Sequence, residues 1–205
     1  MHAALLVTEN STLNIGIYIY ENAEVLDFSG PFEVFSTANR LADSEDTFNV
    51  FLVAEEMFPV NARANFSVNP HYTFNDHPEI DILIVAGGIH TKELSKPTVI
   101  SWITTVEKSA QLVASVCTGA FILAEAGLLS GLKVTTHWED IEDLQSSYPH
   151  LTVVNSQRWV DEGRFITSGG ISAGIDMSLH LVSRLVSLEL AGHTAKQMEF
   201  EWCAQ

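Results

Sequence analysis

The chain alternates short apolar runs with longer stretches in which apolar residues recur every three or four positions. The short runs are rich in β-branched and aromatic residues and predict strands, whereas the longer spacing predicts helices that bury one face. The clearest predicted strands are residues 14–20, 48–54, 80–86 and 112–116. Residues 80–86 (IDILIVA) lack regular alternation, which is typical of a parallel strand buried on both faces.

Helical spacing follows most of these strands. Pro31 suits the first position of a helix, so Asp27 is expected in the loop between the first strand and that helix. Further helices are predicted at residues 97–109, from Gly119 to a stop at Gly127, and at 139–147, 172–188 and 192–202. Further strands are predicted at 133–136, 152–155, 158–160 and 164–167, with one or two near 64–68. This order predicts an α/β fold, a three-layer sandwich with a mostly parallel sheet.

The length of the chain suits one domain. We place that single domain at residues 14–205 and treat residues 1–13 as a short N-terminal extension. No apolar run approaches the roughly 20 residues of a membrane-spanning helix. The N-terminus also lacks the basic segment and long apolar stretch of a signal peptide. We therefore expect a cytoplasmic protein with no membrane partner.

Charge and cysteine content narrow the function further. The formal net charge is -16, and the ten Lys and Arg residues are not clustered, which argues against nucleic-acid binding. No Cys or His motif offers a metal site, and we expect no cofactor. Of the two cysteines, Cys203 is the third residue from the C-terminal end and is interpreted as incidental. A small molecule remains the expected partner.

Chemistry-bearing residues follow several predicted strands. Gly87 and Gly88 follow one strand, Cys117 and Thr118 another, and a Ser-Gly-Gly segment ending at Gly170 a third. Ligands of parallel α/β sheets bind beyond the carboxyl ends of the strands. Because Asp27 follows the first strand, we expect it at the same edge.

Cys117 ends an apolar run and is followed by small residues and a helical pattern. A strand that turns sharply into a helix presents its corner residue as a nucleophile elbow. The sulfur would then lie near a helix N-terminus, whose dipole favours a thiolate. The alternative is a buried core cysteine, which is the more common environment for this residue. Thr118 and Gly119 favour the nucleophile.

Four separated segments carry a family resemblance: LDFSGPFEVF, VAGG, SVCTGAFILAEAGLLSGLKVTTHW and TSGGISAGIDMSLHLV. Together they resemble the ThiJ/PfpI superfamily, whose fold is related to that of class I glutamine amidotransferases. The resemblance covers residues 14–202. The D-x-x-G-P, S-V-C-T-G and T-T-H-W motifs are similar to those of the isonitrile hydratase branch. Sensor domains of AraC-type transcription regulators carry nearly the same motifs.

The resemblance implies an enzyme that adds water to an isonitrile and releases an N-substituted formamide. Cys117 would be the nucleophile and form a thioimidate, Asp27 would be the acid and base, and Thr118 would orient the intermediate. The resemblance also implies a homodimer. The residues expected to bind substrate or developing negative charge are Gly87, Gly88, Ile89 and Gly170, with Ile171 in the pocket wall.

Each assignment has a structural alternative. Asp27 would cap the helix near Pro31, and Thr118 would be a turn residue. The glycines would only allow close packing. His137 is a possible site residue, but a structural or interface role is favoured for it, and His180 and His193 are read as packing or surface residues.

Three functions compete: an isonitrile hydratase-type enzyme, an enzyme with another activity of the superfamily, and a non-catalytic sensor domain. The superfamily often has a histidine directly after the elbow cysteine, and Thr118 in that place argues against a cysteine–histidine pair. Glyoxalase-like or deglycase-like relatives use a glutamate where this chain has Asp27. A non-catalytic sensor domain is the remaining alternative. Because no helix-turn-helix pattern precedes Gln205 and the chain is acidic, we expect the enzyme.

Overall fold

The computed structural model describes residues 12–44 and 46–202, and a seven-stranded sheet crosses its centre. The strands are β1 (Leu13–Tyr18), β2 (Phe48–Ala54), β3 (Val60–Ala62), β4 (Phe66–Val68), β5 (Tyr72–Thr73), β6 (Ile82–Val85), β7 (Leu112–Ser115), β8 (Lys133–Val134), β9 (Thr152–Val153), β10 (Trp159–Asp161) and β11 (Phe165–Ser168). The sheet order is β10-β11-β7-β6-β1-β2-β5, and only β10 and β11 pair antiparallel. The predicted, mostly parallel sheet is confirmed.

The helices form two layers against this sheet. They are α1 (Val25–Leu41), α2 (Thr91–Leu94), α3 (Pro97–Ser109), α4 (Gly119–Glu125), α5 (Ile141–Ser147), α6 (Ala173–Leu185) and α7 (Leu188–Gln197). Helices α1, α6 and α7 pack on one another, and α2, α3 and α4 form a second group. Every residue of β6 and β7 is buried, so both faces of the sheet are covered. The three-layer prediction is confirmed.

Helix α1 begins earlier than the sequence indicates. Its N-cap is Glu24, whose backbone N–H donates to the carbonyl of Gly87 at 2.8 Å, and Pro31 lies inside the helix. The prediction of a start at Pro31 is wrong, because contact with the Gly87 turn fixes the first turn of the helix. Asp27 therefore lies in that first turn rather than in a loop. No side chain caps this helix, which contradicts a capping role for Asp27.

Other boundaries differ where local contacts override the pattern. The last helix was expected at residues 192–202 but ends at Gln197. It begins after Ser187, whose hydroxyl accepts a hydrogen bond from the N–H of Leu190 at 3.1 Å. The segment expected as helix 139–147 starts with a 3₁₀ turn at Trp138–Asp140 before α5. The bounds predicted for β2 and α3 are confirmed.

Two expectations concern parts of the chain outside the described residues. Residues 1–11 of the expected extension are not among them, and neither is Cys203. Leu13, placed in the extension, is the first residue of β1. None of the described helices is both long and apolar enough to cross a membrane.

Candidate active site

Cys117 occupies the corner between β7 and α4. Its φ of 56° is in the left-handed region, which is strained for a residue with a side chain and is typical of a nucleophile elbow. Gly119 makes the tight turn possible, because a Cβ atom there would lie 2.2 Å from the carbonyl oxygen of Val85. The elbow predicted from the sequence is confirmed, and it brings the start of α4 against the end of β6.

The backbone of Cys117 is held on both sides. Its N–H lies 3.2 Å from the carbonyl oxygens of both Ser168 and Gly169, at the end of β11. Its carbonyl accepts a hydrogen bond from the hydroxyl of Thr136 at 2.8 Å. The residue is 6% exposed, so the sulfur is nearly enclosed. These contacts fix the direction of the thiol rather than leaving it on a mobile loop.

Asp27 is completely buried beside the elbow. Its Oδ2 accepts a hydrogen bond from the N–H of Gly87 at 3.1 Å, and its Oδ1 makes no regular hydrogen bond within residues 12–44 and 46–202. Burial raises the pKa of this carboxyl to about 7, and the charge of Glu24 adds to the rise. Weaker interactions with the N–H of Gly87, the Cys117 thiol and the N–H of Ile171 oppose it.

The thiol is not activated in the resting site. Burial raises the pKa of Cys117 well above its usual value, and the negative charge of Asp27 adds to the rise. A hydrogen bond from the N–H of Thr118 only partly opposes these effects. The expectation that the helix dipole favours a thiolate is therefore wrong, since α4 has only seven residues and its end is buried against a carboxyl group. Burial and the nearby carboxyl therefore both favour the protonated thiol.

Thr118 and the glycine turn are bound to each other. The hydroxyl of Thr118 accepts a hydrogen bond from the N–H of Gly88 and donates one to the carbonyl of Gly88, both at 2.9 Å. The N–H of Gly87 is bonded to Asp27. Both glycine N–H groups already have acceptors in this structure, and their expected role in stabilising developing negative charge stays a prediction. The hydroxyl of Thr118 likewise holds the turn instead of facing the sulfur.

Gly87 is needed for close packing at the centre of the site. A Cβ atom at this position would lie 2.6 Å from the nitrogen of Thr118 and 2.8 Å from both Asp27 Oδ2 and Cys117 Cβ. These distances are shorter than any unstrained contact. Asp27 and Cys117 therefore approach each other over the bare backbone of Gly87.

Gly170 and His137 form one wall of this region. A Cβ atom at Gly170 would lie 2.1 Å from the imidazole Cδ2 of His137, so the ring packs directly on the glycine. The Nδ1 of His137 accepts the N–H of Glu139 and lies 3.3 Å from a carboxylate oxygen of Asp140. These contacts match the structural role that was favoured for His137. Ile171, with a φ of 53°, follows Gly170 and is 39% exposed.

His180 and His193 are held in helices away from the elbow sequence. Nε2 of His180 lies 2.7 Å from an Asp161 carboxylate oxygen, and His193 is exposed on α7. Both fit the packing or surface role predicted for them. Ile89 is 46% exposed next to the glycine turn. In the described part of the chain, no group of His, Cys, Asp and Glu side chains is arranged to hold a metal ion.

Two residues beside the glycine turn, His90 and Tyr20, were not predicted from the sequence. The ring of His90 lies against Phe121 at a centroid distance of 4.4 Å, and burial lowers its pKa. Tyr20, just beyond β1, is buried, and burial followed by the charges of Asp27, Glu93 and Cys117 raises the pKa of its hydroxyl. The signal for Tyr20 was its place at the carboxyl end of the first predicted strand, the edge at which ligands of parallel sheets bind.

The fold and the site define an α/β protein with a strained cysteine elbow and a buried carboxyl beside it. The sequence profile of the DJ-1/PfpI family matches residues 14–184. The chain belongs to the DJ-1/PfpI family, also called ThiJ/PfpI.

Known relatives include an enzyme and a transcriptional regulator. Isonitrile hydratase of Pseudomonas putida is 34% identical over 189 residues, which are 92% of this chain and 78% of that enzyme. The transcriptional regulator CdhR of Pseudomonas aeruginosa is 31% identical over 173 residues, 84% of this chain and 51% of the regulator. This chain thus spans about half the length of that regulator. A ThiJ/PfpI family structure from Pseudomonas syringae is similar with a TM-score of 0.83 at 25% identity, covering 95% of this chain and 77% of the other.

Proposed function

We propose that this protein is a hydro-lyase of the isonitrile hydratase type. It would add water to an isonitrile, R–N≡C, and release the formamide R–NH–CHO. The similarity to isonitrile hydratase extends over 92% of the chain and supports this reaction class. The observation that carries the proposal is the pairing of a buried carboxyl with the elbow thiol over Gly87.

The first half of the reaction joins the thiol to the isonitrile carbon. Cys117 passes its proton to Asp27 as the sulfur attacks that carbon, and Asp27 returns the proton to the same carbon. The product is a thioimidate, R–N=CH–S–, bound to Cys117. A carboxyl pKa of about 7 suits both transfers, because such a group accepts and releases protons near neutral pH.

The second half adds water to the thioimidate. Asp27 takes a proton from water as the water oxygen attacks the thioimidate carbon, and Asp27 then delivers that proton to the nitrogen. The tetrahedral adduct R–NH–CH(OH)–S– then loses its carbon–sulfur bond, and the hydroxyl proton returns to the sulfur through Asp27. The sum is R–N≡C plus water to R–NH–CHO, with both side chains restored.

The other site residues would hold this geometry and bind the apolar group of the substrate. Thr118 fixes the Gly88 backbone, and its own N–H faces the sulfur. Ile89 and Ile171 present exposed apolar side chains beside the two glycine turns. We propose that they contact the R group, while Gly170 makes room for the ring of His137 in the site wall.

The test is formamide release from cyclohexyl isocyanide by the purified protein. Wild type should turn over, Cys117→Ala should lose all turnover, and Cys203→Ser should keep it as a matched thiol control. An inactive wild type, or a Cys117→Ala variant that still releases formamide, refutes the proposal. A formamide screen with linear, cyclic and aromatic isonitriles would then define the R group.

The second candidate is a small-molecule sensor without catalysis. The similarity to the regulator CdhR favours it, as does the high pKa of a thiol that is not activated at rest. A sensor would show a rise in melting temperature with isonitriles or other small ligands but no formamide. Substrate-dependent turnover lost in Cys117→Ala excludes this candidate as the whole function.

We also propose that the chain is a cytoplasmic homodimer, as the resemblance implies. Met57, Phe58 and Phe66 expose large apolar side chains around the β3–β4 hairpin, surface that a second copy would cover. Light scattering should give twice the chain mass for wild type. The Phe66→Glu variant should shift the equilibrium toward monomer if this surface is the interface.

A further inference from the structure

Tyr20 carries a buried hydroxyl that lacks a hydrogen-bond partner in the described residues. The residue is 3% exposed, so bulk water does not satisfy this group. Buried polar groups are nearly always paired, because leaving one unpaired costs the full loss of its hydration. An unpaired hydroxyl at this depth is a donor that a bound molecule can use.

The backbone connects Tyr20 to the glycine turn that holds Asp27. The carbonyl of Tyr20 accepts the N–H of Ala23 at 2.9 Å, and Ala23 bridges to Gly88. The turn from Tyr20 to Ala23 leads directly into α1, which carries Asp27. Burial is the main cause that raises the pKa of Tyr20, followed by the charges of Asp27, Glu93 and Cys117, so the phenol stays neutral and remains a donor.

The neighbouring Tyr18 differs from Tyr20 because its hydroxyl has a hydrogen-bond partner. The hydroxyl of Tyr18 donates to Oε2 of the buried Glu93 at 2.5 Å, and Oε1 of Glu93 lies 3.0 Å from the ammonium of Lys96. The rings of Tyr18 and Tyr20 are 5.5 Å apart. Both oxygens of Glu93 are thus engaged by other groups, and of the two tyrosine hydroxyls that of Tyr20 has no partner among the described residues.

We propose that Tyr20 is a further site residue whose hydroxyl donates a hydrogen bond to the nitrogen of the Cys117-bound thioimidate. This inference rests on the proposed function. The nitrogen of an isonitrile has no free lone pair, whereas the thioimidate nitrogen has one and gains negative charge as water adds. The hydrogen bond therefore forms only after the sulfur has attacked, and it assists the second half of the reaction.

If Tyr20 acts only in the second half of the reaction, its loss should lower kcat and KM by the same factor. Slower breakdown of a covalent intermediate lowers kcat and KM together and leaves kcat/KM unchanged, because kcat/KM reports the first addition. Tyr20→Phe should lower kcat by about tenfold or more. Its intact mass after mixing should show a chain heavier by one substrate molecule. Its melting temperature should equal or exceed that of wild type, since the change removes an unpaired buried group.

Tyr18→Phe is the matched control, because it removes a hydroxyl that already has a partner. It should lower the melting temperature through the loss of the Glu93 hydrogen bond and should leave kcat within about twofold. Active wild type together with equally active Tyr20→Phe overturns the role of Tyr20 alone. A fall in kcat/KM equal to that in kcat also overturns it, and wild type without formamide release overturns the proposed function and this inference together.

Discussion

Asp27 and Cys117 meet at the place that a side chain of Gly87 would occupy. A Cβ atom at this glycine would be 2.8 Å from the carboxyl Oδ2 of one residue and 2.8 Å from the Cβ of the other. They are ninety residues apart in the chain, and contact between the first turn of α1 and the end of β6 brings them together. The consequence is a pair in which a thiol and a carboxyl compete for one proton in a buried space.

Asp27→Asn should slow isonitrile turnover severely. The amide keeps an oxygen for the N–H of Gly87 but neither accepts the thiol proton nor returns it to carbon. We expect a loss of about 100-fold or more in both kcat and kcat/KM. Alkylation of Cys117 at high pH should persist, because the thiol is still present, and full turnover in the variant would remove Asp27 from the mechanism.

The pH dependence of stability should report the buried carboxyl. Its pKa is raised from 3.8 to about 7, so between these values the native state holds a proton that the unfolded chain has released. The free energy of unfolding therefore falls as pH rises through this window, by about 4 kcal/mol in all at 1.36 kcal/mol per pKa unit. Urea titrations at pH 5 to 8 should show Asp27→Asn gaining on wild type as pH rises.

Asp161→Asn serves as the control, because the contribution of Asp161 to the free energy of unfolding changes with pH in the opposite direction. Burial tends to raise the pKa of Asp161, but hydrogen bonds from His180 and the N–H of Gly163 and the charge of Arg184 outweigh it and lower the pKa to about 2. The stability that ionised Asp161 contributes is present above pH 3.8 and is lost as pH falls toward 2. A constant difference between Asp27→Asn and wild type from pH 5 to 8 would contradict the raised pKa of Asp27.

Gly87→Ala should damage both the fold and the site. The added methyl group would press on the nitrogen of Thr118, Asp27 Oδ2 and Cys117 Cβ, all of which are fixed by other contacts. We expect a lower melting temperature and loss of turnover. Gly192→Ala is the matched control, since nothing lies within 4 Å of its added methyl group and alanine favours the helix there.

Much of the fold could be predicted from the sequence, because strand and helix patterns are local. The bounds of β2 and α3 were predicted correctly, and the apolar run before Cys117 indicated the elbow. The start of α1 was not predicted, because a tertiary hydrogen bond from Glu24 to Gly87 determines it and outweighs the preference of Pro31 for a first turn.

The chemistry of the site was less predictable. Sequence order placed Asp27 and Cys117 at the same sheet edge, but their proton affinities depend on burial, which residue type alone does not determine. The hydrogen bonds of the Gly87 and Gly88 N–H groups were not predictable either, because their acceptors come from Asp27 and Thr118, which are distant in the sequence. Only three-dimensional packing reveals these partners.

Thr118→Val tests whether the glycine turn must be held by a side chain. Valine has the shape of threonine but lacks the hydroxyl that both accepts from the N–H of Gly88 and donates to its carbonyl. We expect a loss of about 1–3 kcal/mol in stability and a lower kcat, because the Gly88 N–H loses its acceptor and the turn under Asp27 loosens. Thr105→Val, which removes an exposed hydroxyl bonded only to Ser101, should change neither property. Turnover in Thr118→Val equal to that of Thr105→Val would show that the hydroxyl is dispensable.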